Sequence, residues 1–512
     1  MGAVTLDDWV GIAYQLPGGA KFDGRLNCMA IITEVLNHAK NSSDCKNALR
    51  FWKRYVAAAR QAPELDLWQK IIWGPPNQSD VMPRDELSEI HLEWASNLRQ
   101  KIGLVCRPVP ADKDANRRLK IGYLSPDFRT HPVAFFIEPF LRHHRRSEVE
   151  VTCYACSSEE DTYTARLRDL SDEWVSLAGM TAETAAARIR ADEIDIAIDL
   201  AGHHVVRSLD TVAPVDVLAH YAAPVQVTWI GYPNTTGLDC VHYRLSDAVA
   251  DPPHSTQKYS EELIRLPDCF LCFSPPQDLL STPVGSSLPC ETCGHVTFGS
   301  MNDLSKISSA VMRLWLEILL LLPSAVLKIK VKSAGKYSIG EDNFDQYKEL
   351  LVSSALDPSM PGFSFKSKAN LKKRIEMVAP NPHVKDHFAG YTSLDIALDT
   401  LPYSGTTTTC DSLIMGVPVV TLRESGADAR HAHNVTASIL VQAGLEELIA
   451  DSPKEYVEKA VELAKNTENL RMLRASLRQR ILSSPLCDGV SAAPKVESAF
   501  RTMWKRFCSG DK

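Results

Sequence analysis

The sequence predicts an α/β protein: two doubly wound, Rossmann-like domains facing a cleft, with a small helical region in front of them. Three observations carry this. The chain has 512 residues, too many for one ordinary core and enough for two or three domains. From Leu119 onward, short apolar runs alternate with amphipathic helical runs, the signature of a parallel sheet covered on both faces. The alternation fades in the Pro/Ser-rich "SPPQDLLSTPVGSSLPCET" and begins again at "VTFGS", which marks a second sheet. The boundaries read from this are a helical region over 1–115, a first α/β domain over 116–285 and a second α/β domain with C-terminal helices over 286–512.

The elements follow in order. "RLNCMAIITEVLNHAK", "CKNALRFWKRYVAAARQ" and "DELSEIHLEWASNLRQKIG" read as helices with no clean repeat period, at best a degenerate remnant of a helical repeat. In the first domain "LKIGYLS", "VEVTCYA", "IDIAIDL" and "VQVTWIGYP" read as strands, separated by helical "VAFFIEPFLRHH" and "TAETAAARIRADE". In the second, strands "VTFGS", "AVLKIKV", "LDIALDT" and "VPVVTL" alternate with helical "SSAVMRLWLEILLLLP" and "TTCDSLIMG". Val311, Leu314, Trp315, Ile318, Leu319 and Leu322 fall on one helical face. The stretches 275–295 and 333–345 are the ones composition leaves open to disorder.

Composition narrows the function. The chain holds 56 Lys and Arg against 63 Asp and Glu, a net charge of −7, without the basic footprint of a nucleic-acid binder. Any phosphate is therefore expected at one local site. The first residues carry acids rather than a basic leader, Leu6 stands where a myristoylation signal needs Ser or Thr, and no apolar run approaches membrane-spanning length. The expectation is a cytoplasmic or nuclear protein without a membrane partner, its 13 cysteines reduced. Cys269-x-x-Cys272 and Cys290-x-x-Cys293 have zinc-ribbon spacing, but "DCFLCF" reads as an apolar strand, whose neighbouring side chains point to opposite faces. Buried thiols and no metal are the expectation, and Cys153 and Cys156 read as plain strand.

Ligands of doubly wound sheets sit beyond the carboxyl ends of the strands, and the chemistry-bearing residues cluster there. "LDTLPYSGTTTTCDSLIMG" ends a strand, turns, and starts a helix at Thr406, Thr407, Thr408 and Thr409. Its free N–H groups and positive dipole end suit a phosphate, and the hydroxyls add donors. Asp411, one turn in, suits a ribose diol. The plainer alternative is that Thr406 or Thr407 is an N-cap and Asp411 complements the dipole. "FGSMNDLSK" places Lys306 where it would neutralise a diphosphate. His131 in "SPDFRTHP" and His203 in "LAGHH" follow strands of the first domain; His387, His431 and His433 add to the wall of the second, and Asn434 is grouped with His203 and His433 as a cleft candidate. No D-x-D motif stands out, so the cations, hydroxyls and helix dipole must offset the diphosphate charge.

"IGYLSPDFRTHPVAFFIEP", "APVQVTWIGYPNTTGLD", "EELIRLPDCFLCFSP", "FGSMNDLSKI", "LDTLPYSGTTTTCDSLIMGVPVVT", "HAHNV" and "SPLCDG" resemble, in order from about residue 118 to 510, the catalytic region of the family of SPINDLY and the nucleocytoplasmic O-GlcNAc transferase. The resemblance implies a GT-B fold and an inverting, metal-independent transfer, without cofactor, from a nucleotide sugar to Ser/Thr hydroxyls of proteins. By position it implies that His131 is the active-site histidine and that Lys306 holds the diphosphate and assists its departure. His387 is implied beside base and sugar, Thr407 and Thr408 at the phosphates and Asp411 at the ribose; Thr406 and Asp303 are grouped with these donor-binding residues. "WIGYPNTTGL", "RLPDCFLCF", "GTTTTC" and "HAHNV" are more similar to SPINDLY, whose type implies GDP-fucose; UDP-GlcNAc is the alternative, and a non-catalytic nucleotide-sugar-binding scaffold the distant one. Three departures stand out: no tetratricopeptide array, Tyr221-Ala222 in place of Arg-Pro, read as the loss of a cation near the cleft, and a long loop, "RESGADARHAHNV".

Overall fold

The computed structural model describes residues 72, 84–205, 208–285, 287–331, 344–356, 365–379 and 384–510. The first two expected helices lie outside them, as does nearly all of 333–345. The chain divides into two compact units.

The first unit comprises Arg84–Pro276, Gly426–His431 and Leu482–Lys512. It opens with α1 (Arg84–Ile102), followed by β1 (Leu119–Ser125), α2 (Pro132–His143), β2 (Val149–Ala155), α3 (Thr162–Leu170), β3 (Glu173–Ser176), α4 (Ala182–Ala191), β4 (Ile196–Asp199), α5 (Pro214–Ala219), β5 (Val225–Thr228), β6 (Tyr243–Asp247) and β7 (Glu262–Leu266). All seven strands are parallel, in the order β3-β2-β1-β4-β5-β6-β7. Strands β4, β5 and β6 are buried along their whole length, as a sheet covered on both faces requires.

The second unit comprises Gln277–Ser425 and Ala432–Ile481. Two short helices, α6 (Gln277–Ser281) and α7 (Pro289–Cys293), occupy much of the stretch left open to disorder. After them come β8 (Thr297–Ser300), α8 (Ser309–Leu321), β9 (Val326–Lys330), α9 (Phe344–Ala355), α10 (Phe365–Lys373), β10 (Ile375–Val378), α11 (Val384–Ala389), β11 (Ile396–Leu398), α12 (Thr407–Ile414), β12 (Val419–Leu422), α13 (His431–Gln442), β13 (Ile449–Ala450), α14 (Pro453–Lys465) and α15 (Thr467–Leu482). The order β10-β9-β8-β11-β12-β13, all parallel, repeats the reversal of the first sheet. On α8, Met312 and Leu316 are buried along with Val311, Leu314, Trp315, Ile318 and Leu319, a wider apolar face than one stripe.

Three boundaries differ from the sequence reading. Helix α16 (Gly489–Ser509), assigned above to the second domain, clusters with the first unit. Its Phe500, Met503 and Trp504 are buried, each such side chain stabilising by roughly 1.5–3 kcal/mol. Glu497, 2% exposed in its side chain, accepts from Arg145 N at 2.8 Å and Arg145 Nε at 2.6 Å and lies 3.2 Å from His144 Nδ1. A Cβ on Gly489 would lie 2.6 Å from His143 Cδ2 and 3.1 Å from Pro139 Cβ, so glycine lets α16 start against α2. The segment Gly426–His431 also belongs to the first unit. Arg84 bonds Asp428 at 2.7 Å and His431 Nδ1 lies 2.6 Å from Asp251 Oδ2, which gives part of the long loop its anchor. Helix α1 joins the same unit through His91, whose Nε2 is 2.7 Å from Tyr232 Oη.

"DCFLCF" is not a strand. It runs as irregular buried chain after β7, because its polar groups find partners outside a ladder: Phe270 N donates to Asp247 Oδ2 at 3.0 Å, Phe270 O accepts from Trp229 Nε1 at 2.9 Å, and Phe273 N donates to Leu486 O at 2.7 Å. Cys153 and Cys269 are buried free thiols. Among the described residues no His, Cys, Asp and Glu cluster is placed to hold a metal ion, and no helix is long and apolar enough to cross a membrane.

Candidate functional site

In each unit the strand order reverses between two neighbouring strands, β1/β4 in the first and β8/β11 in the second, and the loops that follow them diverge there. The candidate residues divide between these two places.

In the second unit β8 ends at Ser300 and leads through Asn302 and Asp303 into a single 3₁₀ turn, Leu304–Lys306. Asp303 caps that turn, accepting from Ser305 N at 3.0 Å and Ser305 Oγ at 2.8 Å. The cap directs Lys306 across to the loop after β11: its Nζ donates to Ser404 O at 3.2 Å and lies 3.9 Å from the centroid of the Tyr403 ring. Burial, with Asp303 nearby, pushes the Tyr403 hydroxyl up to about 12, so the ring faces the ammonium as a neutral aromatic.

The loop after β11 is held by Asp399, which accepts from Gly405 N at 2.9 Å, Thr421 Oγ1 at 2.8 Å and Asn302 Nδ2 at 3.5 Å. Asn302 Oδ1 in turn accepts from Thr408 Oγ1 at 2.8 Å. A Cβ on Gly405 would sit 2.5 Å from Thr408 Oγ1 and 2.8 Å from Asn302 Oδ1, so only glycine fits here. Thr406 is the N-cap residue of α12, yet its hydroxyl makes no capping bond; the simple N-cap reading therefore lacks its hydrogen bond. Thr407 opens the helix, and Thr409 turns inward, its hydroxyl 3.1 Å from that of Thr436. The result is a helix start without a side-chain cap, with a lysine at its approach, an arrangement chemically suited to an anion.

One turn further, Asp411 is 5% exposed and its Oδ1 has no hydrogen-bond partner among the described residues. Burial pushes this carboxyl up to about 8 against the pull of Lys330. The buried Tyr391 hydroxyl is likewise without a partner among the described residues. His387, half-buried on α11, lies 3.4 Å by its Nδ1 from Lys330 Nζ and packs edge-on against Tyr391. Burial first, and Lys330 second, lower its pKa to about 4, so it is a neutral imidazole at pH 7. A neutral histidine, a tyrosine hydroxyl and a carboxyl with an unused oxygen suit hydroxyl and base contacts. His433 is 3% exposed in its side chain, with Nδ1 3.2 Å from Glu424 Oε1 but off hydrogen-bond geometry. Asn434 clamps the Glu424 backbone, accepting from its N and donating to its O, both at 2.9 Å.

In the first unit His131 caps α2, its Nδ1 accepting weakly from Val133 N at 3.4 Å, with Asp127 Oδ2 3.7 Å away. Burial, then Arg129, lowers its pKa to about 4, while burial raises Asp127 to about 6. The loop is tied down by Asp161, which accepts from Thr130 N at 2.8 Å, and by Arg129 with Glu159 at 3.2 Å. The side chain of His131 keeps 36% of its surface exposed. His203, by contrast, does not project from its strand end into open space. It is fully buried, its Nε2 2.9 Å from Thr236 O and its ring edge-on to Trp94, Tyr232 and His91. Tyr221 precedes β5 and so lies at the amino edge of the sheet, opposite the edge that carries His131, with Arg99 stacked 5.3 Å over its ring. The Arg-Pro departure thus falls away from the candidate residues of this unit.

Asn302, Asp399, Lys330, Tyr391 and Asp127 escaped the sequence reading. Two of the signals were present: "DIAID" at 195–199 and "DIALD" at 395–399 put an aspartate at the end of each switch-point strand.

Two all-parallel Rossmann-like sheets, of seven and six strands, are the architecture of the GT-B class of glycosyltransferase. The chain belongs to glycosyl transferase family 41, whose model matches residues 107–277 and 357–494. Curated relatives named probable UDP-N-acetylglucosamine–peptide N-acetylglucosaminyltransferase SPINDLY are 42% identical over 433 residues in Arabidopsis thaliana and 40% over 431 in Petunia hybrida. Each alignment covers 83% of this chain but only 44% and 43% of the relative, so the chain spans less than half their length. A solved structure of a point-substituted Thermobaculum terrenum O-GlcNAc transferase matches at TM-score 0.76 and 31% identity, covering 95% of this chain and 85% of that one.

Proposed function

We propose that this chain is a nucleotide-sugar-dependent protein O-glycosyltransferase that modifies Ser and Thr hydroxyls in the cytoplasm or nucleus, with GDP-fucose as donor. The observation that carries the reading is the second unit's switch point, where Lys306 and the uncapped start of α12 converge on one loop. Asp411 Oδ1 and the Tyr391 hydroxyl, buried and unpartnered among the described residues, fit a ribose and base as the groups that would satisfy them. The choice of GDP-fucose rests on the SPINDLY-like motifs and on the higher identity to SPINDLY relatives than to the O-GlcNAc transferase, 42% against 31%. UDP-GlcNAc is the second reading, favoured by the activity in the names of those relatives.

In the reaction so proposed, the acceptor oxygen forms its bond to the anomeric carbon as the bond to the diphosphate breaks on the opposite face, inverting the centre. The electron pair leaves with the diphosphate oxygen, where Lys306 and the α12 N–H groups stabilise the growing charge. This is preorganised electrostatic stabilisation, which needs no metal from the protein. The acceptor proton goes to a base, for which neutral His131 is the first unit's candidate, or to water or a donor phosphate oxygen. The Nδ1 contact with Val133 N leaves the proton on Nε2; acting as base through Nε2 requires the other tautomer, with Nδ1–H toward Asp127.

Calorimetry with GDP, UDP, GDP-fucose and UDP-GlcNAc, without added metal, tests the reading. Preference for GDP and GDP-fucose supports it, preference for the uridine pair moves the donor to UDP-GlcNAc, and no binding to any of the four leaves a scaffold.

A further inference from the structure

We propose that Asp399 is the positioning residue of the diphosphate site, an inference that rests on the function proposed above. Its carboxylate is fixed from three directions, by Gly405 N from the loop, Thr421 Oγ1 from β12 and Asn302 Nδ2 from the loop after β8. Through Asn302 it reaches the Thr408 hydroxyl, and through the Ser404–Gly405 peptide it sets the carbonyl on which Lys306 rests. One buried group therefore fixes the placement of the lysine, from the loop after β8, relative to Thr408 and the helix start that follow β11.

A carboxylate behind a phosphate site repels the ligand it serves unless its negative charge is absorbed locally, and here three donors absorb it. Burial raises the pKa of Asp399 against the hydrogen bonds it accepts. The same device recurs in the first unit, where Asp199 ends β4, accepts from Ala201 N and Gly202 N at 2.8 Å and faces Thr228 Oγ1 of β5 at 3.4 Å. Recurrence at the equivalent strand end shows what the group does: it ties the switch-point loop to the neighbouring strand. In the second unit that loop receives Lys306 from the loop after β8 and leads directly into the start of α12.

The experiment compares GDP with guanosine, and UDP with uridine, by calorimetry on the full chain. Asp399→Ala is expected to weaken the nucleoside diphosphate about 10–100-fold, as for the loss of one to two buried hydrogen bonds, while the matching nucleoside stays within about threefold. Asp399→Asn, which keeps an acceptor for Gly405 N, should recover most of the loss. Asn302→Ala cuts the same network from its other side and serves if the alanine variant does not fold; it should show the same split, more weakly. Equal loss of nucleoside and diphosphate marks Asp399 as merely structural, and unchanged diphosphate affinity likewise overturns the proposal. A wild-type chain that binds none of the four compounds overturns the proposed function itself.

Discussion

The switch points of the two sheets start from nearly the same pentapeptide and end in opposite ways. Asp195 and Asp395, at the head of "DIAID" and "DIALD", each accept from the first turns of the neighbouring strand, Lys120 N and Thr297 N, both at 2.8 Å. Asp199 and Asp399, at the tail, each hold the loop that follows. In the first unit that loop closes at once through Gly202, at φ +55°, and buries His203. In the second it extends through Tyr403 and Ser404 to Gly405 and opens a helix without a side-chain cap. A shared strand chemistry thus fixes where a loop begins, and the residues just after it decide whether the strand end is sealed or presents donors. The first unit places its exposed polar residue on the other switch-point strand, where the loop after β1 carries His131.

The contrast can be broken by mutation, the largest effect first. Lys306→Ala should lower kcat by about 10²–10³-fold, the usual cost of one donor to a developing anion. Near-normal turnover in a steady-state assay would count against the assignment. His131→Ala should lower kcat/KM by about 10²-fold if the imidazole takes the proton. With a pKa near 4 for His131 and near 6 for Asp127, both are in their working forms above pH 6. The pH–rate profile should be flat from about 7 to 8 and fall as pH drops through 6, where Asp127 protonates, and on toward 4, where His131 does; a limb rising above pH 7 would point to another base.

Asp199→Ala should cost stability and nothing else. About 1–3 kcal/mol is expected from the amides it leaves unpaired, read by denaturant unfolding, with nucleotide affinity unaltered; a matching loss of affinity would mean the two switch points are not separate in function. Thr408→Val removes one hydroxyl bonded to Asn302 and should weaken nucleoside diphosphate binding by no more than about fivefold, on the order of one neutral hydrogen bond. A larger loss would place that hydroxyl on the ligand itself.

Eight of the thirteen described strands, and among the helices α1, α2, α4, α8 and α12, were legible because apolar runs of strand length recur between amphipathic ones. Burial on both faces demands that pattern wherever helices cover a parallel sheet. Lys306, Thr407, Thr408 and Asp411 were legible for a related reason, since each follows a strand whose carboxyl end is the conventional ligand edge. His203 stood at the same kind of edge and was misleading, because sequence does not say that Trp94 of α1 will lie over it. "DCFLCF" misled in the same way: its apolar content fitted a strand, but its backbone groups were answered from Asp247, Trp229 and Leu486 instead.

The sequence by itself determined two Rossmann-like sheets and the hydroxyl-rich helix start, since local pattern and strand-end position are properties of short stretches. Tertiary structure decided the rest. It carried α16 and Gly426–His431 to the first unit, buried Asp399 among donors from two loops and a strand, and left Asp411 an oxygen without a partner among the described residues. Each of these depends on groups far apart in the chain meeting at hydrogen-bond distance, and no periodicity in a single stretch encodes that meeting.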